Sequence, residues 1–198
     1  GLRIPPIAIV DLAAEAAREY AARWNARFLS DDDGPHFGSL FITGGKTVAL
    51  GSLQIRESEM TQAVDIFAFD MLIQNPDRSF QANHGKPNLL SDGEQFFVLD
   101  HEKAFSFLFH IGTPMPPWEL RGLPFVKAHL FYSDVAQVAR NDSSCFSCFL
   151  GRVEAIPDLF FDNMVSEIPP SWHDSNKVDK IIAHLKAVRE NAPRFTED

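Results

Sequence analysis

Asp77, Asn88 and Asp100 are the residues of this chain whose types and spacing invite chemistry. Each stands at the end of a local element. Ala63, Ile66, Phe67 and Met71 recur at helical spacing, and Asn75-Pro76 stops the run, so Asp77 and Arg78 fall in the loop beyond it. Two strand-like pieces follow, 88–90 and 95–99, with Asp92-Gly93 between them as a hairpin signal. A hairpin brings its two ends together, so Asn88 and Asp100 converge and Asp77 can join them. Two carboxylates and an amide oxygen make a hard-oxygen set of the kind Mg2+ accepts. Phosphoryl transfer uses such a set: one carboxylate orients the acceptor hydroxyl, while an Asp and an Asn hold the metal against the phosphates. A plainer reading makes the same residues turn formers. Asp77 would then pair with Arg78 after the helix, Asn88 would sit in a turn, and Asp100 would cap a helix starting near Lys103. Residue types and spacing alone leave both readings open.

The elements that must position these residues can be read along the chain. Residues 7–12 (IAIVDL) are a short β-branched run and predict a strand. The Ala-rich LAAEAAREYAARW, 12–24, predicts a helix. SDDDG, 30–34, reads as a solvated loop, and its three aspartates lack the spacing of an EF-hand. Phe41-Ile42 and 48–55 predict two short strands around a Gly44-Gly45 turn. Thr61 is the expected N-cap of the helix that ends before Asp77. Helical periodicity continues over 104–109, 126–138, 144–153, 157–165 and 176–190, interrupted by the Pro-rich loop 110–118. The pattern is α+β: mainly helical, with a small hairpin at the site and a short N-terminal strand region.

Composition excludes several function classes. The chain has 198 residues and a formal net charge of -9, which argues against a general nucleic-acid binder. No apolar run is long enough to span a bilayer, so no membrane partner is expected. Eighteen Phe against two Tyr reads as core packing. Cys145 and Cys148 form a single CFSC pair with no second pair to complete a zinc site, and they read as buried structural thiols in a reducing, cytoplasmic setting. His36, His84, His110, His129, His173 and His184 form no metalloprotease spacing. TGGKTVAL, 43–50, lacks the P-loop pattern and reads as a glycine turn in a small hairpin.

Three ordered motifs, NPDR (75–78), KPNLL (86–90) and FVLDHEKAF (97–105), resemble the HipA-like kinase family. The family pattern is close to N-x-D-R, then N-P-N-L-L, then an apolar strand ending in D-H. The opening GLRIPPIAIVDL and the closing IPPSW with its helix resemble family segments too. The resemblance implies a protein-kinase-like fold, with residues 1–60 as a remnant of the N-terminal lobe and hinge, and 61–198 as the helical catalytic lobe. It implies an ATP- and Mg2+-dependent phosphotransferase acting on a protein Ser/Thr hydroxyl or a small molecule. The alternative is a catalytically inactive binding or regulatory module of the same fold. Asp77 would be the catalytic-loop carboxylate, and Arg78 would brace that loop. Asp100 would bind the metal with Asn88, or with Asn83 in a lengthened loop. His101 would support Asp100 at the cofactor, and Lys86, standing where the family has Asn, would contact a phosphate or lie exposed. Glu102 would be exposed or paired with Lys103. Asp70, on an apolar helix, would support the catalytic loop through hydrogen bonds. The strand Lys and helix Glu that grip phosphates in this fold are not read ahead of these motifs, and the expectation is that the nucleotide-gripping lobe is absent or incomplete.

Overall fold

The computed structural model describes residues 2–25, 34–49, 53–80, 86–109, 115–120 and 122–196. The acidic run at 31–33, Asn83, His84 and His110 lie outside these residues. Strand β1 (Ile7–Leu12) pairs antiparallel with β2 (Gly34–Ser39), in register from Ile7 opposite Ser39 to Leu12 opposite Gly34. Between them runs helix α1 (Ala14–Trp24), which buries Ala17 and Ala21 one turn apart. Asn25 ends it in the left-handed conformation, which Asn tolerates better than most residues. The ribbon leaves Ile7, Ile9 and Phe37 exposed.

The second sheet has three antiparallel strands in the order β3 (Lys46–Thr47), β4 (Leu89–Ser91) and β5 (Phe96–Val98). The β4–β5 hairpin turns at Asp92-Gly93 as its sequence predicts; Gly93 has φ of 95° and the Asp92 carboxylate accepts the amides of Glu94 and Gln95. Gly44-Gly45 is a turn, with Gly45 N–H donating to Ile42. Phe41-Ile42 forms no strand, and 53–55 are not strand either; the ladder runs one residue past β3, where Val48 donates to Leu89.

Helix α2 (Met60–Leu72) is the axis of the core. It is apolar nearly all round, as a buried helix must be: Ala63, Val64, Ile66, Phe67, Ala68 and Met71 are buried, and so are two acids, Asp65 and Asp70. Thr61 is not its N-cap. A 3-10 turn, Glu57–Glu59, precedes the helix, and the Glu59 carboxylate accepts the Arg56 amide at 2.9 Å.

The helical body follows as α3 (Pro124–Ala128), α4 (Tyr132–Asn141), α5 (Ser147–Glu154), α6 (Asp158–Met164) and α7 (Ser175–Glu190). The stretch 104–109 is a 3-10 turn over Ser106–Phe109 rather than an α-helix. The single helix expected over 126–138 breaks at His129, for a reason given below. Asp142 and Asp174 cap the starts of the segments after them, accepting the amides of Ser144 and Lys177. Among the phenylalanines, Phe67, Phe96, Phe131, Phe146 and Phe149 build the core, while Phe37, Phe41 and Phe109 are exposed. Both cysteines are free: burial pushes the half-buried Cys145 thiol up, but Cys148 is exposed, because its position faces away from the buried Phe149-Leu150-Val153 side of α5.

Phe131 is fully buried and lies 5.6 Å, ring to ring, from Phe96 of β5, so it joins the helical body to the hairpin. Phe131→Ala is expected to cost about 3–5 kcal/mol, measured as a fall in the urea midpoint at unchanged slope.

Candidate functional site

The site begins with how α2 ends. Gln74 takes φ of 49°, and the last turn closes with Gln74 N–H on Met71 and Asn75 N–H on Asp70, a Schellman ending without the usual glycine. The chain therefore doubles back over the helix end, and Asn75, Asp77 and Arg78 all become buried. Among the described residues, four of the five non-glycine residues with positive φ are Gln74, Asn88, Asp100 and Phe105, all in this region. Such conformations each cost about 1–3 kcal/mol and persist where the surroundings enforce them, most often at functional sites.

Asp70 is the anchor. Its carboxylate accepts Asn75 Nδ2 at 2.9 Å, His129 Nε2 at 3.0 Å and two nitrogens of the Arg78 guanidinium. The side chains of Asp70 and Arg78 are both 0% exposed. Burial pushes the Asp70 carboxyl up, but the bond from His129 and the charge of Arg78 outweigh it and hold the group below the usual carboxylate range. The remaining Arg78 donors reach the main-chain oxygens of Asn88 and, at 3.4 Å, Pro87, and His101 Nε2 at 3.1 Å. One guanidinium thus ties α2, the hairpin's first strand and the segment after its second.

His129 explains the helix break. Its Nδ1 accepts the Phe131 amide at 3.2 Å, so Nε2 carries the hydrogen and donates to Asp70. The adjacent main chain bonds Arg78, through Leu130 N–H to its carbonyl at 3.1 Å. An unbroken helix could not offer these groups. Desolvation pushes His129 down and keeps it neutral. His101 is also pushed down, by burial first and by the Arg78 charge second. Its Nε2 faces a donor, so its hydrogen sits on Nδ1.

Asp77, Asn88 and Asp100 come together. The Asn88 Nδ2 group donates to Asp77 Oδ2 at 3.0 Å and to the Asp100 main-chain oxygen at 3.2 Å. Asp77 is 0% exposed; Asp100 is 35% exposed and opens to solvent. Lys103, for which the sequence offered Glu102 as one of two alternatives, reaches Asp77 Oδ1 with Nζ at 2.7 Å, and that bond holds its own pKa up. Lys86 is 66% exposed with Nζ 4.0 Å from Asp100 Oδ2. Its main chain does more: its N–H donates to Asp77 O at 2.9 Å and its carbonyl accepts Ser79 N–H at 3.1 Å. Beyond Asp100, Phe105 N–H and Ser106 N–H return to the carbonyls of Ile73 and Gln74 and close the loop onto the end of α2. No group of three or more His, Cys, Asp or Glu clusters as metal ligands among the described residues. No described helix is long and apolar enough to cross a membrane.

A family model described as HipA-like kinase matches residues 1–198, the whole chain. The chain belongs to the HipA-like kinase family. No curated protein and no solved structure matches it. Membership of this kinase family gives the NPDR, KPNLL and DH motifs a common context, and the structure brings their polar residues into one hydrogen-bonded cluster. His129 and Lys103 belong to that cluster and were not found from the sequence. Each bonds a residue 26 or 59 positions away, and no spacing signal reaches so far.

Asp70→Ala would leave the Arg78 guanidinium buried and unpaired, and a loss of about 3–5 kcal/mol is expected, measured by chemical denaturation. Stability should also depend on pH through His129 and His184. His184 is pushed down by burial and bonds the Leu72 carbonyl at 2.7 Å beside the rings of Phe105 and Phe107. His129 faces Asp70 and Arg78. Both stay neutral in the fold at pH values where the unfolded chain protonates them, with an ordinary value of 6.5. Their contribution is whole above that value and is lost as pH falls below it, with a slope of at most about 1.4 kcal/mol per pH unit for each. Urea midpoints at pH 8, 6 and 5 should fall in that order, and His184→Gln should flatten the trend.

Proposed function

We propose that this chain transfers a phosphoryl group from ATP to a hydroxyl, on a protein Ser or Thr or on a small molecule, with Mg2+ held by Asp100 and Asn88. The observation that supports this reading most is the Asn88 amide, which bonds the Asp77 carboxylate and the Asp100 main chain at once. It brings the two acidic residues of the NPDR and DH motifs to one locus.

The donor set fits Mg2+. It offers the Asp100 carboxylate and the Asn88 amide oxygen, a low number of protein oxygens that leaves positions for phosphates and water. The ammonium groups of Lys103 and Lys86 stand against Asp77 and Asp100, so the locus already attracts cations. Mg2+ bound there would neutralise phosphate charge during transfer. Asp77 would accept the hydrogen bond of the acceptor hydroxyl at Oδ1 and take its proton as that oxygen bonds the γ-phosphorus of ATP, while the bond from phosphorus to the β–γ bridging oxygen breaks and ADP leaves. For this, Lys103 exchanges Asp77 Oδ1 for the incoming group, and its half-exposed side chain can follow the phosphates. Arg78 and Asp70 hold the loop rigid, and His101 orients the segment carrying Asp100. Residues 1–60 are, in this reading, the part of the chain nearest in kind to a nucleotide-gripping lobe, and a cytoplasmic setting suits the free thiols of Cys145 and Cys148 in the helical body.

A second reading, an inactive regulatory module, draws on the same Lys103–Asp77 bond. An ammonium that stays on Oδ1 would block the acceptor. Asp77→Asn is expected to cut transfer by about 10²–10⁴-fold with the fold retained by circular dichroism. Asp100→Ala should abolish Mg2+-dependent ATP binding by calorimetry. Wild-type activity in either variant would end the first reading. Lys103→Met separates the two: reduced transfer supports a phosphate-following lysine, whereas transfer that appears only in this variant supports a block.

A further inference from the structure

A cavity of about 650 Å³ lies between α2, α3, α4 and the 3-10 turn Ser143–Phe146, and none of Asp77, Asn88 or Asp100 lines it. Its floor is core: Phe67, Met71, Val135 and Phe146 are all buried. Its rim carries two exposed cations, Lys127 at the end of α3 and Arg140 at the end of α4. Neither has an ion pair among the described residues. Both charged residues that line this cavity are cations, in a chain whose net charge is -9. Small-molecule sites commonly have this build, an apolar body with a few charged or polar groups that fix orientation.

We propose that this cavity binds a soluble single-chain anionic amphiphile, its alkyl chain against Phe67, Met71, Val135 and Phe146 and its acidic head between Lys127 and Arg140. The apolar floor supplies affinity without direction. The rim cations supply the choice of head group, and being exposed they act over a screened, salt-dependent range.

The test uses the full chain and two probes with the same tail, dodecanoate and dodecyltrimethylammonium, both below micelle formation, in titration calorimetry. Dodecanoate should bind one per chain and about tenfold tighter than the cationic probe at low salt, the scale of two exposed ion contacts. Added NaCl should shrink that preference. Ala139→Trp, which fills the cavity, should abolish binding of both probes. Because a bulky substitution can disturb packing, a surface variant stands beside it: Lys127→Glu with Arg140→Glu should reverse the preference while the melting curve stays the same. Equal binding of the two probes by the wild-type chain would overturn the proposal. So would unchanged binding in a folded Ala139→Trp chain, or binding to anionic phospholipid vesicles with none to dodecanoate. All these readouts are independent of phosphoryl transfer.

Discussion

A guanidinium and a carboxylate that are both removed from water lose several kcal/mol of hydration each, and their attraction repays this only when every donor and acceptor is used. The Asp70–Arg78 pair meets that condition. The carboxylate takes Asn75, His129 and Arg78, while the guanidinium reaches Asp70, His101 and two main-chain oxygens of the hairpin. Such a network has little freedom to adopt a second arrangement, because any shift leaves a buried charge unpartnered. The ending of α2, the approach of β4 and the break before α4 are all fitted to it.

That network accounts for the strained backbone. Gln74, Asn88, Asp100 and Phe105 adopt left-handed conformations at the points where the chain must turn to satisfy Arg78 or close onto α2. The cost is distributed around the site rather than spread through the fold. Local preference gives way there because charge burial is the larger effect.

The same comparison of magnitudes explains what was legible in the sequence. The hairpin was readable, because Asp92-Gly93 is a strong local turn signal flanked by apolar strands. So were β1, α1, α6 and α7, whose periodicity and end signals lie within one window. Asp70 was readable as a support because a lone acid on an apolar helix needs partners. The helix over 126–138 was misread: apolar spacing runs straight through His129, and only the distant Asp70 and Arg78 require the chain to open there. Thr61 was misread as a cap because the Arg56–Glu59 interaction lies upstream of it and starts the helix earlier. Lys103 and His129 were missed since their partners are remote in sequence. Cys148 was taken as buried from its apolar neighbours, although helical geometry turns it outward.

Position 86 illustrates a division of labour between main chain and side chain. Its N–H and C=O stitch the loop to Asp77 and Ser79, while its ammonium-bearing arm points into solvent. Any residue with an amide hydrogen can supply those two bonds, so replacing the side chain there leaves the loop's stitching in place, whereas proline, which lacks that hydrogen, would remove one of them. The scaffold at this point is written in peptide groups, and the side chain is left to set the charge that stands beside Asp100.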